Sequence, residues 1–178
     1  AFAAGIPGTV GGGVHMNAGA YDGEMKQIVK EVKLLDENGR IIAVSGKDMD
    51  FGYRHSIVSS GEYVILETTF TLTKEDPVKI RDRIDDLTAR REEKQPLEYP
   101  SCGSTFKRPE GYFAGKLISD AGLKGYSIGG AQVSEKHAGF VINKNNASAA
   151  DILELIEYIR EEVFKSQGVK LECEVKII

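Results

Sequence analysis

The sequence predicts an α+β fold in two parts, the first rich in strands and the second mixing helices with strands. Apolar stretches on both sides of an Asp-Glu-Asn-Gly turn predict an antiparallel hairpin near the start of the chain. Apolar residues at helical spacing after Pro77, and again after Ser148, predict two long helices. The change of periodicity near residues 74–77 predicts a domain boundary, with domains at residues 1–74 and 75–178.

Length and charge narrow the class of protein. The chain has 178 residues and a formal net charge of -4, which suits one mid-sized domain or two small ones. A mildly acidic chain argues against a nucleic-acid surface, which needs a basic face. No apolar run reaches the roughly 20 residues that span a bilayer. We therefore expect neither a nucleic-acid nor a membrane partner.

The first predicted domain opens with a glycine-rich run at residues 5–21 and continues with strands at residues 28–35, 40–44 and 63–72. Five of the nine residues at 5–13 are glycine, so backbone N–H groups there could approach a flat ring or a phosphate closely. The amide of Asn17 could pair with a heterocycle edge. A glycine-rich connection between core elements is the alternative. The run fits neither a Rossmann fingerprint nor a P-loop.

The second predicted domain begins with a charged helix at residues 77–94 that ends at a Gln-Pro pair. A short helix is predicted at residues 112–121, and short strands at 128–133 and 138–143. A helix that begins at a capping box on Ser148 is predicted to end near Gly168. Residues 169–178 are predicted to close the fold as a strand whose residues alternate between an apolar and a charged face.

Residues 101–109, Ser-Cys-Gly-Ser-Thr-Phe-Lys-Arg-Pro, form a candidate active-site segment. Gly103 permits unusual backbone angles, so Ser104 could point into a cleft with Lys107 and Arg108 nearby to hold an anion. An ordinary polar turn is the alternative reading. Cys102 has no evident base beside it and is interpreted as a packing residue rather than a nucleophile.

Metal and disulfide chemistry are not indicated. Cys102 and Cys173 have no metal-ligand spacing, and we expect free thiols in a reducing cytoplasm, although the sequence leaves a disulfide open. His15 and His55 are interpreted as structural or exposed, because no other ligands cluster with them in the sequence.

Six motifs occur in an order that resembles the UDP-N-acetylenolpyruvoylglucosamine reductase (MurB) family, and the resemblance covers the whole chain. Each motif is weak alone, but the six together in the family's order are specific. They are Ile-Pro-Gly-Thr-Val-Gly-Gly-Gly with Asn-Ala-Gly-Ala-Tyr at residues 6–21, Phe-Gly-Tyr-Arg-His-Ser at 51–56, Arg-Glu-Glu-Lys-Gln-Pro at 91–96, Gly-Ser-Thr-Phe-Lys-Arg-Pro at 103–109, Lys-His-Ala-Gly-Phe at 136–140 and Leu-Glu-Cys-Glu-Val at 171–175.

The resemblance implies part of a vanillyl-alcohol-oxidase-type FAD-binding domain followed by an α+β substrate-binding domain. It also implies that the first half of the FAD-binding domain lies outside this sequence. The implied activity is a cytoplasmic step of peptidoglycan precursor synthesis. NADPH reduces FAD, and hydride then passes to the enolpyruvyl double bond of UDP-N-acetylglucosamine enolpyruvate to give UDP-N-acetylmuramate.

The resemblance also implies roles for individual residues. Ser104 matches the proton donor, Arg54 the arginine that holds the substrate carboxylate, and Glu174 the assisting acid. Glu172 stays open as an alternative acid, because it lies on the same predicted strand face. Arg54 could instead be a surface residue after a turn.

Substrate and cofactor contacts follow by position in the same motifs. Lys94 matches a lysine at the UDP diphosphate. The remaining implied substrate residues are Tyr53, Lys107, Arg108 and His137; other members carry asparagine in place of Arg108, which leaves its contact uncertain. The implied FAD contacts are Ile6, Pro7, Gly8, Thr9, Val10, Gly11, Gly12, Asn17, Gly19 and Ala20.

Two other functions stay open at this level. One is a nucleotide-sugar-binding module without catalysis. The other is a different flavin oxidoreductase of the same superfamily, for which Ser104 beside Lys107 and Arg108 would have no purpose.

Overall fold

The computed structural model describes residues 1–177, and the chain divides into two compact units, Ala1–Arg91 and Glu92–Ile178. Both units contain helices and antiparallel strands, so the fold is mixed α and β. The helix at Pro77–Lys94 continues past residue 91, and the predicted domain boundary at its beginning stays a prediction. Among the described residues, no helix combines the length and the apolar character that crossing a membrane requires.

The first unit is built on a three-stranded antiparallel sheet. Strands β3 (Val29–Leu35), β4 (Ile41–Ser45) and β5 (Val64–Phe70) lie in the order β4-β3-β5. The predicted hairpin is confirmed, because β3 pairs with β4 around a turn in which Asp36 Oδ1 accepts backbone N–H bonds of 2.9 Å and 2.8 Å. The third predicted strand is confirmed as β5.

Part of the glycine-rich run forms a helix that the sequence did not predict. Helix α1 (Val10–His15) precedes a small hairpin of β1 (Gly19–Ala20) and β2 (Gly23–Glu24). Thr9 caps α1 by accepting a 3.0 Å bond from Gly12 N, and Val14 packs fully buried in the core of the unit. A Cβ at Gly13 would lie 2.9 Å from Met25 Cε, so a larger residue here would require the methionine side chain to shift.

The first unit is completed by two 3-10 turns, at Met25–Gln27 and Ile57–Ser60, and by most of helix α2 (Pro77–Lys94). Helix α2 has the predicted bounds, with Leu87 and Arg91 as its buried residues. The core of the unit consists of Val14, Ala18, Met25, Val29, Val32, Leu34, Met49 and Val58.

The second unit contains a four-stranded sheet in the order β6-β9-β8-β7. Its strands are β6 (Ser101–Ser104), β7 (Ser127–Ile128), β8 (Ala131–Val133) and β9 (Phe140–Asn143), and its helices are α3 (Ala114–Asp120) and α4 (Ala149–Gln167). The predicted capping box is confirmed, and Gly168 ends α4 in the left-handed conformation. Leu155, Ile156, Ile159 and Val163 place the apolar stripe of α4 in the core.

Two strand predictions need correction. The predicted strand at residues 128–133 is interrupted by a turn at Gly129, whose φ is +53°, and therefore forms the two short strands β7 and β8. The predicted closing strand at residues 169–178 is reduced to one bridge between Phe106 and Cys173, flanked by two backbone hydrogen bonds, and its last residue lies outside the described part. The predicted alternation between an apolar and a charged face is nevertheless confirmed for Leu171, which is buried, and Glu172, which is exposed.

Candidate active site

A concave site in the first unit brings predicted cofactor and substrate residues together. It has a volume of about 330 Å³ and opens beside the β1–β2 hairpin. Its walls include three predicted cofactor residues, one predicted substrate residue and one predicted catalytic residue: Asn17, Gly19, Ala20, Tyr53 and Arg54. Because Ala20 and Tyr53 are more than thirty positions apart in the sequence, the fold of this unit is what joins the two groups of residues.

Asn17 organises this concave site through its side chain. Its Nδ2 donates to Glu24 Oε2 at 2.7 Å and to Gly52 O at 3.0 Å, and its Oδ1 accepts from Lys26 N at 2.9 Å. Both amide hydrogens are therefore used within the unit, and neither is left to pair with a heterocycle edge as the sequence suggested. The bond to Gly52 O ties the turn that carries Arg54 to the glycine-rich run.

Arg54 lies in a tight turn in which Gly52 and His55 form an isolated bridge. Its φ is 55°, in the left-handed region that a non-glycine residue seldom adopts. Its guanidinium carbon lies 5.0 Å from the centre of the Tyr53 ring, within cation–π distance. Strained backbone of this kind is often found where a side chain must be aimed at a ligand. Arg54 is half-buried rather than a freely exposed surface residue.

The remaining predicted cofactor residues lie at and just before the beginning of α1. Pro7, Gly8, Thr9, Val10 and Gly12 are exposed, and Ile6 and Gly11 are half-buried. No atom lies within 4 Å of where a Cβ would stand on Gly8. This backbone is open to an approaching group.

Glu24 was not singled out in the sequence, although it lines the concave site and holds Asn17. A hydrogen bond with Lys26 is the main cause that lowers the pKa of its carboxyl group below the ordinary value, and the bond from Asn17 adds to it. The only signal in the sequence is a Glu-Met-Lys-Gln capping pattern over the turn at Met25–Gln27, which carries no functional meaning by itself.

In the second unit, the structure brings Ser104 and Glu174 onto neighbouring segments. Strand β6 pairs Ser104 with Phe140, and on its other side Glu174 N donates to Thr105 O at 2.8 Å. Ser104 is exposed and Glu174 half-buried. The buried Thr105 fixes this arrangement, because its N donates to Gly139 O and its Oγ1 accepts from Val141 N at 3.0 Å.

The basic residues after Ser104 differ in their surroundings. Lys107 forms an ion pair with Glu172. Arg108 donates from Nε to Tyr112 O at 3.2 Å, and its guanidinium carbon lies 4.0 Å from the centre of the Phe113 ring. Lys107 therefore has a carboxylate partner within the protein. The guanidinium of Arg108 lies over the ring of Phe113, which is exposed.

His137 is held in a fixed orientation beside this segment. Its Nδ1 accepts a 3.1 Å bond from Gly139 N, and its ring packs edge-on against Phe140 with centroids 4.9 Å apart. Burial lowers the pKa of its imidazole below the ordinary value. A neutral ring whose Nδ1 is an acceptor carries its hydrogen on Nε2, so His137 can offer one donor.

Lys94, the predicted diphosphate residue, is exposed at the last position of α2. Lys136 supports this helix end, because its Nζ donates to Glu92 O at 2.6 Å and lies 3.9 Å from Glu98. A cation at the carboxyl end of a helix is favourable, because it satisfies a carbonyl without an intrahelical partner. Lys136 stands in one of the six motifs, but its position gave no sign of this contact.

Both cysteines are free thiols, with Cys102 exposed and Cys173 half-buried. Cys102 borders an apolar cavity of about 250 Å³ between β6 and α4. Residues 1–177 contain no group of three or more potential metal ligands that could hold an ion.

Comparison with known proteins agrees with the motifs. Residues 95–178 match the family model of the UDP-N-acetylenolpyruvoylglucosamine reductase C-terminal domain. The chain is 58% identical over 177 residues to UDP-N-acetylenolpyruvoylglucosamine reductase of Clostridium perfringens, covering 99% of this chain and 58% of the relative. The chain is also 55% identical over 177 residues to the protein of that name from Caldanaerobacter subterraneus, covering 99% of this chain and 59% of the relative.

A solved structure shares the fold. The crystal structure of UDP-N-acetylenolpyruvylglucosamine reductase (MurB) from Thermus caldophilus superimposes with a TM-score of 0.86 at 34% identity, covering 97% of this chain and 61% of that one. The chain thus spans about three fifths of the length of the relatives it matches. The sequence and the structure of the chain both match a carboxyl-terminal portion of the UDP-N-acetylenolpyruvoylglucosamine reductases (MurB).

Proposed function

We propose that this chain is part of a cytoplasmic reductase that uses NADPH and FAD to convert UDP-N-acetylglucosamine enolpyruvate to UDP-N-acetylmuramate in peptidoglycan precursor synthesis. The observation that carries the proposal is the concave site of the first unit, where Asn17, Gly19 and Ala20 meet Tyr53 and Arg54. In this proposal, the residues that bind the cofactor and the residues that bind the substrate line the same cavity. The names of the relatives, UDP-N-acetylenolpyruvoylglucosamine reductases, support the same reaction.

The residues present fit a flat, acceptor-rich cofactor. Residues 7–10 and 12 are exposed, and no atom lies within 4 Å of where a Cβ would stand on Gly8, so an approaching group can reach this backbone. Residues 6–12, 19 and 20 would contact the flavin, and Asn17, whose amide is bonded to Glu24 and Gly52, would hold the wall of the site in place. When bound, FAD supplies the hydride acceptor for NADPH and the hydride donor for the substrate.

Arg54 binds and polarises the substrate in this proposal. A guanidinium binds a carboxylate through two parallel hydrogen bonds, and it also stabilises the negative charge that develops beside that carboxylate when hydride reaches the enol ether. The stacked Tyr53 ring limits the orientations that the guanidinium can adopt. Lys94 and His137 would contact the diphosphate and neighbouring polar groups, with His137 donating from Nε2.

Ser104 delivers the proton that completes the reduction. Its hydroxyl proton moves to the carbon that carries the developing charge, and the serine oxygen is then reprotonated from its surroundings. A serine is a poor acid in water, so the surrounding charges must favour its ionised form. Glu174 comes from the adjacent segment and assists the transfer, while Arg108 adds positive charge near the serine.

The test is the substitution Ser104→Ala in the full-length protein. We expect reduction of the flavin by NADPH to be unchanged, because no proton from Ser104 is needed there. Reoxidation by the enolpyruvyl substrate should slow by on the order of 100- to 10,000-fold, the usual contribution of general acid catalysis. Stopped-flow flavin absorbance separates the two half-reactions.

Ser119→Ala is the matched control, because Ser119 is also an exposed serine in the second unit. Slowed flavin reduction in Ser104→Ala would move Ser104 out of the proton-donor role. A full-length protein without flavin absorbance and without NADPH oxidation would contradict the reductase and favour a nucleotide-sugar-binding module.

A further inference from the structure

Arg91 is a buried cation on a helix whose other basic residues are exposed. Only 8% of the surface of Arg91 is accessible to solvent. The other basic residues of the helix all lie at the surface: Lys79, Arg81, Arg83, Arg90 and Lys94. Its Nε and Nη2 are buried, and neither has a hydrogen-bond partner anywhere in residues 1–177. Buried charged donors that make no hydrogen bond are costly, because the bonds they made to water are not replaced.

Arg91 touches both ends of the glycine-rich run. Its guanidinium carbon lies 5.5 Å from the centre of the Tyr21 ring, and a Cβ on Gly5 would stand 3.1 Å from its Nε. Tyr21 is itself part of the wall of the concave site that also contains Arg54. The unpartnered donors of Arg91 therefore lie next to the stretch that the proposed function assigns to the cofactor.

The two unpartnered atoms also define what they can bind. Nε and Nη2 lie along one edge of the guanidinium plane, so their hydrogens point in parallel and match two adjacent acceptor atoms. A single carbonyl would satisfy one donor and leave the other unpaired. The site is therefore suited to a group with two neighbouring acceptors and negative or partly negative charge.

We propose that Arg91 is a cofactor-binding residue whose Nε–Nη2 edge donates two hydrogen bonds to a pair of acceptor atoms on the flavin dinucleotide. The proposal rests on the proposed function, because that function supplies the flavin. Two parts of FAD present such a pair, the pyrimidine edge of the ring system and a phosphate group. Arg91 acts on binding and not on proton transfer.

The experiment uses the full-length protein stripped of flavin and compares wild type with Arg91→Met and Arg91→Lys. Arg90→Met is the matched control, because Arg90 is the neighbouring residue but is exposed and paired with Asp86 at 2.9 Å. Dissociation constants for FAD and for riboflavin, which has no phosphate, are measured by flavin fluorescence. Thermal unfolding is recorded with and without FAD.

We expect Arg91→Met to weaken FAD binding by roughly 10- to 100-fold, the effect of losing charge-assisted hydrogen bonds. Arg91→Lys should restore only part of the affinity, because an ammonium group cannot form the paired bonds. Arg90→Met should bind as wild type does. If Arg91→Met weakens binding of both riboflavin and FAD, Arg91 contacts the pyrimidine edge of the ring system. If it weakens binding of FAD alone, Arg91 contacts a phosphate group.

Thermal unfolding distinguishes a ligand contact from a structural one. Without FAD, Arg91→Met should unfold at or above the wild-type temperature, because a desolvated charge has been removed. With FAD, its gain in stability should be smaller than that of wild type. Unchanged affinity, or flavin-free unfolding well below that of Arg90→Met, would overturn the proposal. Failure of wild type to bind FAD would instead overturn the proposed function, and this inference with it.

Discussion

Glu172 and Glu174 stand two residues apart on the segment that pairs with residues 105–107, yet their environments differ. Glu172 is exposed and forms an ion pair with Lys107, whereas Glu174 is half-buried next to Thr105. Since Ser104 directly precedes Thr105, Glu174 has the better position to act with the serine. We therefore propose Glu174 as the assisting acid, and Glu172 as the carboxylate that orients Lys107.

This assignment predicts that Glu174→Gln and Glu172→Gln have unequal effects in the full-length protein. Glu174→Gln should lower kcat for the enolpyruvyl substrate by more than 10-fold, a part of the usual effect of general acid–base catalysis. Glu172→Gln should leave kcat within about threefold, because an exposed ion pair contributes only about 0–1 kcal/mol. Steady-state kinetics of both variants provides the test, and equal losses would contradict the assignment.

The environment of His137 predicts a pH dependence of stability. Burial lowers the folded-state pKa of the imidazole below its unfolded value of 6.5. The unfolded chain therefore binds a proton more readily, so stability is full above pH 6.5 and is lost as the pH falls through the folded pKa. We expect the free energy of unfolding of wild type to fall relative to His137→Gln below that pH.

Urea denaturation of both proteins between about pH 5 and pH 8 measures this difference, in the range where an imidazole titrates. His55→Gln is the control, since His55 is an exposed imidazole beside Asp50. A difference between wild type and His137→Gln that stays constant across the range would show that His137 titrates alike in the folded and unfolded chains.

At the scale of elements, helix α4 depends on a cap that also secures the turn between β7 and β8. Ser148 Oγ accepts from Asp151 N at 3.1 Å, and the Asp151 carboxylate accepts from Ser148 N at 3.0 Å and from Gly130 N at 3.1 Å. Backbone hydrogen bonds from Ser148 and Gly130 lower the pKa of Asp151. One carboxylate thus joins the beginning of α4 to the four-stranded sheet.

We therefore expect Ser148→Ala to destabilise the protein by about 1 kcal/mol, the usual value for a lost N-cap. Asp151→Ala should destabilise it more, because it frees two backbone N–H groups on separate elements. Ser166→Ala is the control in the same helix, since its hydroxyl bonds back to Glu162 O at 2.7 Å and contributes little. Urea denaturation at pH 7 ranks the three variants, and a milder effect of Asp151→Ala than of Ser148→Ala would contradict this account.

The same cap shows which elements the sequence can predict. Helices α2 and α4 and the β3–β4 hairpin were predicted because their signals are local: apolar spacing, a capping box and an Asp-Glu-Asn-Gly turn. Helix α1 was missed because glycine disfavours helix, and its stabilisation includes the Thr9 cap and the burial of Val14. Strand β6 was missed because Ser-Cys-Gly-Ser has little strand preference, and only pairing with β9 defines it.

In the candidate site too, local sequence signals predicted some features and missed others. The residue types of the Ser104 segment and of the Arg54 turn suggested chemistry, and their order in the chain indicated the family. Their partners depend on contacts between distant segments, as with Asn17 and Gly52 or Lys136 and Glu92. No local pattern encodes these contacts. Arg91 was not recognised as a site residue for the same reason. Its spacing along α2 places it in line with the apolar residues of that helix, and no local pattern shows its contacts with the glycine-rich run.

At the scale of the whole molecule, the sheet of the first unit has two open edges. Within residues 1–177, strands β4 and β5 each pair on one side only, with β3. Apolar side chains are exposed on and after these strands, with Ile41 at 66%, Val64 at 59%, Leu66 at 50% and Leu72 at 74%. Open edges and exposed apolar residues are features that proteins usually cover with further structure.

The last prediction concerns FAD binding by these 178 residues as an isolated chain. FAD has a ring system and a pyrophosphate, and an anion cradle needs several converging backbone N–H groups. The glycine-rich run and Arg91 provide only part of such a surface, and the chain spans 58% of the Clostridium perfringens relative. We therefore expect the isolated chain to show no saturable FAD binding, and no reductase activity, at concentrations that saturate the full-length protein. Equilibrium dialysis of both proteins measures this, with size-exclusion chromatography to detect a second copy covering the open edges. Tight stoichiometric binding by the monomeric isolated chain would show that these residues hold the cofactor by themselves. The half of the FAD-binding domain that the resemblance places outside this sequence would then be dispensable for binding.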